Sequence, residues 1–124
     1  RFENLEVWKM ATEIGHRVAD LADGIDSLGK TSFANRLREC SYSISGILAE
    51  GSSCPTKAEF AVFVGHARGA TLEIANLIIF FSERELISEE DETNLVNMLK
   101  RESKMLDNFR QSLERASKPD PIEA

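Results

Sequence analysis

The chain has 124 residues, a net charge of −6 and 42% hydrophobic residues. This length and apolar fraction are typical of one domain with a packed core, and they exclude wholesale disorder and two separate cores. Three Pro and seven Gly exclude a collagen-like chain. Because 15 basic side chains face 21 acidic ones, nucleic acid would have to be bound through a local basic patch or with a basic partner.

The first half of the chain contains two amphipathic segments with the helical period. The first predicted helix spans about residues 4–23, with Asn4 as its N-cap and Gly24 just past its C-terminus. The second spans about residues 31–50 as one continuous helix that ends at Gly51. The short connection between the two helices favours antiparallel neighbours.

Each helix of the second half begins with a capping signal. Thr56 is the predicted N-cap of the third helix, with Glu59 at the reciprocal position, and an almost unbroken apolar stripe continues to about Arg84. Ser88 is the predicted cap of the fourth helix, followed three residues later by Asp91. The predicted core stripe of the fourth helix consists of Leu95, Leu99, Leu106, Phe109 or Arg110, and Leu113.

These four segments predict an all-α protein. Their lengths and short connections favour an antiparallel up-down-up-down four-helix bundle over residues 1–116. Residues 117–124 are expected to form a flexible C-terminal tail. No strand-like alternation and no internal repeat stands out in the sequence.

Helices one and three carry more apolar residues than one core-facing stripe needs. A helix that is apolar on more than one face requires more than one burial partner, so the pattern predicts self-association. The alternative is a wide core stripe with a few exposed apolar side chains, which is common in monomers. The predicted oligomer interface consists of Val7, Met10, Val62, Val64, Ile79 and Phe80.

Candidate catalytic and metal-binding residues are few. The Glu-x-x-His spacing that ends at His16 is found in di-iron bundles, but those sites need a second copy, and Phe63 stands three residues before His66. Cys40 lies on the core stripe, and Cys54 has no evident His or Asp partner. We therefore predict no catalytic residue, no metal and no cofactor, and we expect both histidines at the surface or at an interface.

Four basic residues in the middle of the chain are candidate contacts to nucleic acid or to another partner. They are Arg36, Arg38, Lys57 and Arg68. Arg36 and Arg38 do not share a helix face, because residues i and i+2 diverge. The alternative interpretation is an ordinary solvated bundle surface.

No segment of the chain is typical of membrane insertion or export. The longest apolar run, 77–81, has five residues, whereas a bilayer span needs roughly 20. The charged, amphipathic start differs from a signal peptide, and two cysteines do not make a disulfide framework. The expected location is the cytoplasm, with no membrane partner.

Three spaced motifs occur in the order of a known family's signatures. The opening motif F-x-x-L-x-V-W-x-x-A is matched by Phe2, Leu5, Val7, Trp8 and Ala11. The motif S-I-x-x-N-I-A-E-G is matched by Ser43, Ile44, Ala49, Glu50 and Gly51. A third motif is matched at Thr56, Glu59, Phe60, Phe63, Val64, Ala67, Gly69, Ala70, Glu73 and Ile74. Together they resemble the bacterial family of 23S rRNA intervening-sequence proteins, which includes the accessory variability determinant of diversity-generating retroelements.

The resemblance covers nearly the whole chain. It implies an antiparallel four-helix bundle that assembles into a ring-like homopentamer without known catalytic activity. In the retroelement members it also implies a basic protein that binds nucleic acid and associates with a reverse transcriptase. Of that family's Q-x-R-R run only Arg38 is matched, because Arg36 replaces the Gln and Glu39 replaces the second Arg.

Two functional hypotheses follow. The leading one is a non-enzymatic oligomeric scaffold or adaptor for a macromolecular partner, such as a reverse transcriptase. The alternative is a nucleic-acid-binding accessory protein, associated with an rRNA intervening sequence or with a reverse transcriptase. A third class, an enzyme or metalloprotein, is tested by metal analysis.

Overall fold

The computed structural model describes residues 1–118, and within that range the chain is helical and contains no strand. The elements in chain order are a 3-10 turn (Phe2–Asn4), α1 (Glu6–Ser27), α2 (Thr31–Cys40), α3 (Ser43–Ser52), α4 (Lys57–Glu83) and α5 (Glu89–Ser117). The predicted all-α class is confirmed. Of the predicted tail 117–124, the first residue belongs to α5, and residues 119–124 lie outside the described part of the chain.

Helix α1 is longer at its C-terminus than predicted. It continues past Gly24 to Ser27, and the left-handed position that follows is Gly29, with φ of 79°. Burial of Ile25 in the added turn stabilises the fold by about 1.5–3 kcal/mol. This exceeds the roughly 1 kcal/mol by which a glycine inside a helix destabilises it. The predicted N-cap is also wrong, because Asn4 lies inside the 3-10 turn.

The predicted second helix is divided into α2 and α3 at Ser41 and Tyr42. Tyr42 leaves the helical region, with φ of −110° and ψ of 17°. The hydroxyls of Ser41 and Ser43 donate to carbonyls three residues earlier, at 2.9 and 2.8 Å, and so compete with the helical amides. The break packs on α1 at Gly15, where a Cβ atom would lie 2.6 Å from Cδ1 of Tyr42. Because this contact joins residues far apart in the chain, periodicity did not indicate the break.

The caps predicted for the last two helices are confirmed. The Thr56 hydroxyl accepts a hydrogen bond from the Glu59 amide at 3.1 Å, and the Ser88 hydroxyl accepts one from the Asp91 amide at 3.1 Å. Between the helices, Glu85 adopts a positive φ of 61°. The two caps are local arrangements, which is why the sequence indicates them.

The core is built from one side of each α-helix. Phe33 of α2 packs edge-on against Phe81 of α4, with ring centroids 5.3 Å apart. Gly51 lies inside α3 and allows it to approach α4, because a Cβ there would lie 2.5 Å from Cβ of Phe63. The larger side chains with under 2% exposure include Ile14, Val18, Ile25, Leu37, Ile44, Leu48, Val64, Ile74, Ile78, Leu99 and Leu106.

Candidate interaction surfaces

A stripe of six residues runs along the side of α4 that faces away from the core. Its members are spaced alternately by three and four residues, the spacing with which a helix presents one seam to a partner helix. The apolar members are largely exposed: 57% for Val62, 57% for Leu72 and 41% for Ile79. We call this set the outward stripe of α4; it consists of Val62, Gly65, Gly69, Leu72, Asn76 and Ile79.

The core-facing side of α4 is also apolar. At 100° per residue it lies opposite the outward stripe. A helix with two apolar sides buries only one of them within this chain. The core-facing residues of α4 are Ala61, Val64, Ala67, Ala70, Thr71, Ile74, Ile78 and Phe81.

The predicted oligomer interface is partly corrected by the structure. Three of its six residues are exposed: Val62, Ile79 and Phe80. Val7 and Val64 are 6% and 0% exposed and belong to the core, so placing them at an interface is wrong. Val64 follows Val62 by 200° around the helix and therefore points to the opposite side. Met10 is partly buried and lines a shallow depression of about 370 Å³ between α1 and α5.

The two glycines of the outward stripe leave room for a close approach. A Cβ added at Gly69 would have no neighbour within 4 Å, and one at Gly65 would meet only Cδ of Arg110, at 3.7 Å. Among residues 1–118 nothing therefore requires glycine at position 69. Glycines at seam positions allow another backbone to come near.

Two of the predicted basic contact residues are engaged with acids. Arg38 of α2 binds Asp23 of α1 at 2.7 Å and Asp26 at 3.1 Å. The hydrogen bonds that Arg38 donates to these carboxylates raise its pKa. Arg36 lies 3.5 Å from Glu73 of α4 and 3.9 Å from Glu39. Both arginines thus join helices within the subunit and are compensated in charge.

The other two predicted basic residues lie on α4. Lys57 is exposed in the first turn. Arg68 is also exposed, and its Nε donates to Oγ of Ser103 on α5 at 3.1 Å. The structure therefore does not gather the four predicted residues into one patch.

A basic surface that the sequence analysis missed lies on α5. Lys100, Arg101, Lys104 and Arg115 are exposed and fall within one outward arc of the helix. Among residues 1–118, none of the four takes part in an ion pair, whereas Arg110 on the same helix pairs with Asp107 and Glu114. We call this set the basic face of α5; it consists of Lys100, Arg101, Lys104 and Arg115.

Residues 3–108 match the sequence profile of the family described as 23S rRNA-intervening sequence protein. The chain belongs to the 23S rRNA-intervening sequence protein family. The resemblance seen in the three motifs is thereby confirmed, and the helical structure agrees with it. No curated protein gives a significant match to the chain. In the described part of this family member, no helix has both the length and the apolar content to cross a membrane.

This family member buries one carboxyl group in its core. Glu102 of α5 is 0% exposed, and within the described residues neither of its side-chain oxygens has a hydrogen-bond partner. Burial raises the pKa of this carboxyl to about 8. The helical spacing could have indicated that Glu102 is buried, because position 102 lies between Leu99 and Leu106 on the predicted core stripe. The predicted stripe omitted this position because the residue is acidic.

The histidines and cysteines form no shared site. Nδ1 of His16 lies 2.9 Å from the hydroxyl of Tyr42, and this hydrogen bond connects the α2–α3 break to α1. His66 is exposed on α4. Both thiols are free, and burial raises the pKa of Cys40. Within residues 1–118, no three His, Cys, Asp or Glu side chains are grouped as ligands for one metal ion.

Proposed function

We propose that this member of the 23S rRNA-intervening sequence protein family is a non-enzymatic homo-oligomeric scaffold or adaptor for a macromolecular partner. The observation that carries the proposal is the outward stripe of α4. Its heptad spacing and exposed apolar side chains match what one helix offers another helix. Self-assembly through this stripe accounts for the second apolar side of α4, which the subunit itself leaves uncovered.

The free energies of apolar burial and of association indicate that assembly depends on protein concentration. Covering a half-exposed Val, Leu, Ile or Phe side chain contributes on the order of 1 kcal/mol. Three such side chains on each of two stripes, with the neighbouring Phe80 of each subunit, contribute about 8 kcal/mol, and association costs an estimated 4–15 kcal/mol. The two are comparable, so we expect the oligomer to dissociate on dilution.

The number of subunits depends on whether a second surface takes part. Two stripes facing each other make a two-fold dimer, whereas a ring requires two different surfaces on each subunit. Outside α4, the exposed large apolar side chains of residues 1–118 are Leu28 and Tyr42. They are our candidates for the second surface of the five-membered ring that the family resemblance implies.

We infer that the four helical arms α1, α2 with α3, α4, and α5 run alternately up and down. The pairing of the start of α2 with the end of α4 supports this order, through Phe33 and Phe81. The pairing of the start of α4 with the last part of α5 supports it again, because the rings of Phe60 and Phe109 lie 5.4 Å apart. In this order the outward stripe runs along the full length of one arm.

Sedimentation velocity across a dilution series tests the proposal. The variant carries Leu72→Glu and Ile79→Glu, which place two charges in the outward stripe without touching the core. We expect the wild type to sediment as an oligomer and this variant as a monomer with unchanged helix content. A monomeric wild type at all concentrations would overturn the proposal.

The matched control carries Asn108→Glu and Ser112→Glu. These two exposed α5 residues lie opposite the core side of their helix, so the control adds the same charge elsewhere. We expect it to sediment like the wild type. If it dissociates as readily as the stripe variant, net charge rather than the stripe controls assembly.

The basic face of α5 favours a second candidate function, the binding of nucleic acid. Between residues 93 and 106 the only acid is the buried Glu102, and within the described part of the chain none of Lys100, Arg101 and Lys104 forms an ion pair. Phosphate contacts of this kind supply most of the affinity of non-specific binders. Arg36 and Arg38 do not contribute to this candidate, because acids already occupy them.

Fluorescence anisotropy of labelled structured RNA and duplex DNA across a salt series tests this second candidate. The variant carries Lys100→Gln and Lys104→Gln, and the charge-matched control carries Lys9→Gln and Lys30→Gln. If the face binds duplex DNA, the salt slope of log K falls by about 1.8 in the variant, at roughly 0.9 per phosphate contact. The absence of binding at low salt would overturn it and leave a protein partner, such as a reverse transcriptase.

Two further parts of the proposal concern chemistry and location. We propose that the protein needs no cofactor and acts in the cytoplasm. The two free thiols, one of them buried, suit a reducing compartment. Metal analysis of the purified protein tests the first part, since stoichiometric iron, manganese or zinc would contradict it.

A further inference from the structure

The carboxyl group of Glu102 has no evident role in packing. It occupies a core position of α5 between Leu99 and Leu106 and is fully buried. Leucine occupies the neighbouring core positions, so an apolar residue would suit the site. A buried polar group without a hydrogen bond destabilises a fold.

The hydroxyl groups near this level of the bundle are already engaged. Arg68 of α4 donates to Ser103, which places that turn of α4 beside position 102 of α5. The Thr71 hydroxyl, on the next turn of α4, donates to the Arg68 carbonyl at 2.6 Å. A small cavity of about 140 Å³ lies beside this turn and is lined in part by Thr71, Leu99 and Ser103. None of these groups donates to Glu102.

The cations that face α5 from its neighbouring helices are also engaged. From α4 this is Arg68, whose Nε is bonded to Ser103. From α1 this is Arg17, which pairs with Glu13 at 3.1 Å and lines the depression beside α5, and the acids Glu13 and Asp20 face the same helix. Within residues 1–118 no cation therefore compensates a negative charge at Glu102, and burial is the cause of its raised pKa.

We propose that Glu102 makes the docking of α5 dependent on pH: the helix packs on α4 and α1 with this carboxyl protonated, and loss of the proton releases it. The ionised carboxylate needs water, and α5 has to open for water to reach it. Opening exposes the leucines of the core stripe together with the carboxylate. Mildly alkaline pH thus loosens the helix that carries the basic face.

The direction of the pH dependence follows from the two states. The pKa of Glu102 is about 8 in the folded chain and roughly 4.3 in an unfolded one. Between these values the folded state binds more protons, so stability is full below the unfolded pKa and falls as the pH rises toward 8. Above about 8 both states are ionised, and the loss does not grow further.

The first experiment measures denaturant unfolding at pH values from 5 to 9 in the wild type, Glu102→Gln and the exposed control Glu50→Gln. The glutamine keeps the shape of the protonated acid and cannot ionise. We expect the unfolding constant of the wild type and of the control to rise up to tenfold per pH unit between pH 5 and 8. Glu102→Gln lacks that rise. Parallel profiles in all three proteins would overturn the proposal.

Two additional measurements keep the outcome decisive. Carboxyl carbon NMR follows Glu102 directly, and titration near its ordinary value would refute the proposal even if a variant fails to fold. Native-state hydrogen exchange at pH 6 and 8 then reports which helix opens. We expect the opening constants of α5 amides to rise more than those of α4, and only in proteins that retain Glu102. An equal rise in both helices means global unfolding and would exclude the release of α5.

Discussion

Helices α4 and α5 lie side by side and depart from the usual distribution of polar and apolar side chains in opposite directions. Helix α4 exposes apolar side chains in its outward stripe, and α5 buries a carboxyl group. The exposed side chains do not affect the packing of the subunit's interior, so they contribute free energy only where another molecule covers them. The buried acid destabilises the subunit itself. One departure therefore points to a partner, and the other to an internal property of the fold.

The largest expected effect separates the two sides of α4. Ile78 is buried and Ile79 is 41% exposed, although they are neighbours in sequence. Ile78→Ala lowers the free energy of unfolding of the subunit by about 2–4 kcal/mol, because it leaves a cavity. Ile79→Ala lowers it by under about 1 kcal/mol but weakens self-association. Denaturant unfolding in dilute solution and sedimentation distinguish these effects, and equal losses of stability would show that α4 has no outward side.

The next effect concerns the buried acid of α5. Glu102→Leu continues the leucine stripe and raises the free energy of unfolding by up to about 4 kcal/mol at pH 8, since it removes the buried group whose ionisation costs up to three tenfold steps in the unfolding constant between pH 5 and 8. The gain is smaller at pH 5, where the wild-type carboxyl is protonated in the folded chain. Thermal and denaturant unfolding at both pH values measure it. A gain that is the same at pH 5 and pH 8 would contradict the ionisation of Glu102 in this range.

A smaller effect tests the glycine at the centre of the outward stripe. Gly69→Ala stabilises the helix of the free subunit by about 0.5–1 kcal/mol, because a Cβ there meets nothing within 4 Å. The same methyl group obstructs a second helix and weakens the oligomer. Gly24→Ala in α1 is the matched control, with the same open surroundings. If both variants raise the melting temperature and only Gly69→Ala lowers the sedimentation coefficient, the stripe is the seam.

The smallest expected effect concerns the connection between α4 and α5. Glu85 has a φ of 61°, a conformation that glycine adopts more easily than other residues. Glu85→Gly therefore relieves strain and raises the free energy of unfolding by at most about 1 kcal/mol, offset in part by the entropy of the unfolded chain. Denaturant unfolding measures the change. A loss of stability would show that the Glu85 side chain itself contributes to the α4–α5 connection.

The helices and their caps were largely predictable because the interactions that define them are local. The hydroxyls of Thr56 and Ser88 bond to amides three residues away, a distance that a sequence pattern contains. The break at Tyr42 was not predictable in this way, since it depends on contact with Gly15 of α1. Similarly, the extension of α1 past Gly24 depends on a core that the first helix alone does not contain.

The candidate surfaces were predictable only in part. The surplus of apolar residues on the third helix pointed to a second face, but Val64 was assigned to it wrongly. Arg36 and Arg38 were plausible contact residues until their pairing with acids of other helices was known. The basic face of α5 was missed because Glu102 stands among its cations in the sequence. In the structure the Glu102 side chain lies in the core, away from the exposed cations.

The sequence by itself determined that this protein is all-α, where most of its helices begin, and to which family it belongs. The first two properties depend on side-chain period and on hydrogen bonds within one turn of a helix, and the third on the order and spacing of three motifs. Only the tertiary structure decided which side of α4 faces water, which cations remain without an acid and which carboxyl lies in the core. Burial and ion pairing depend on residues that lie tens of positions apart in the chain and meet only when it folds.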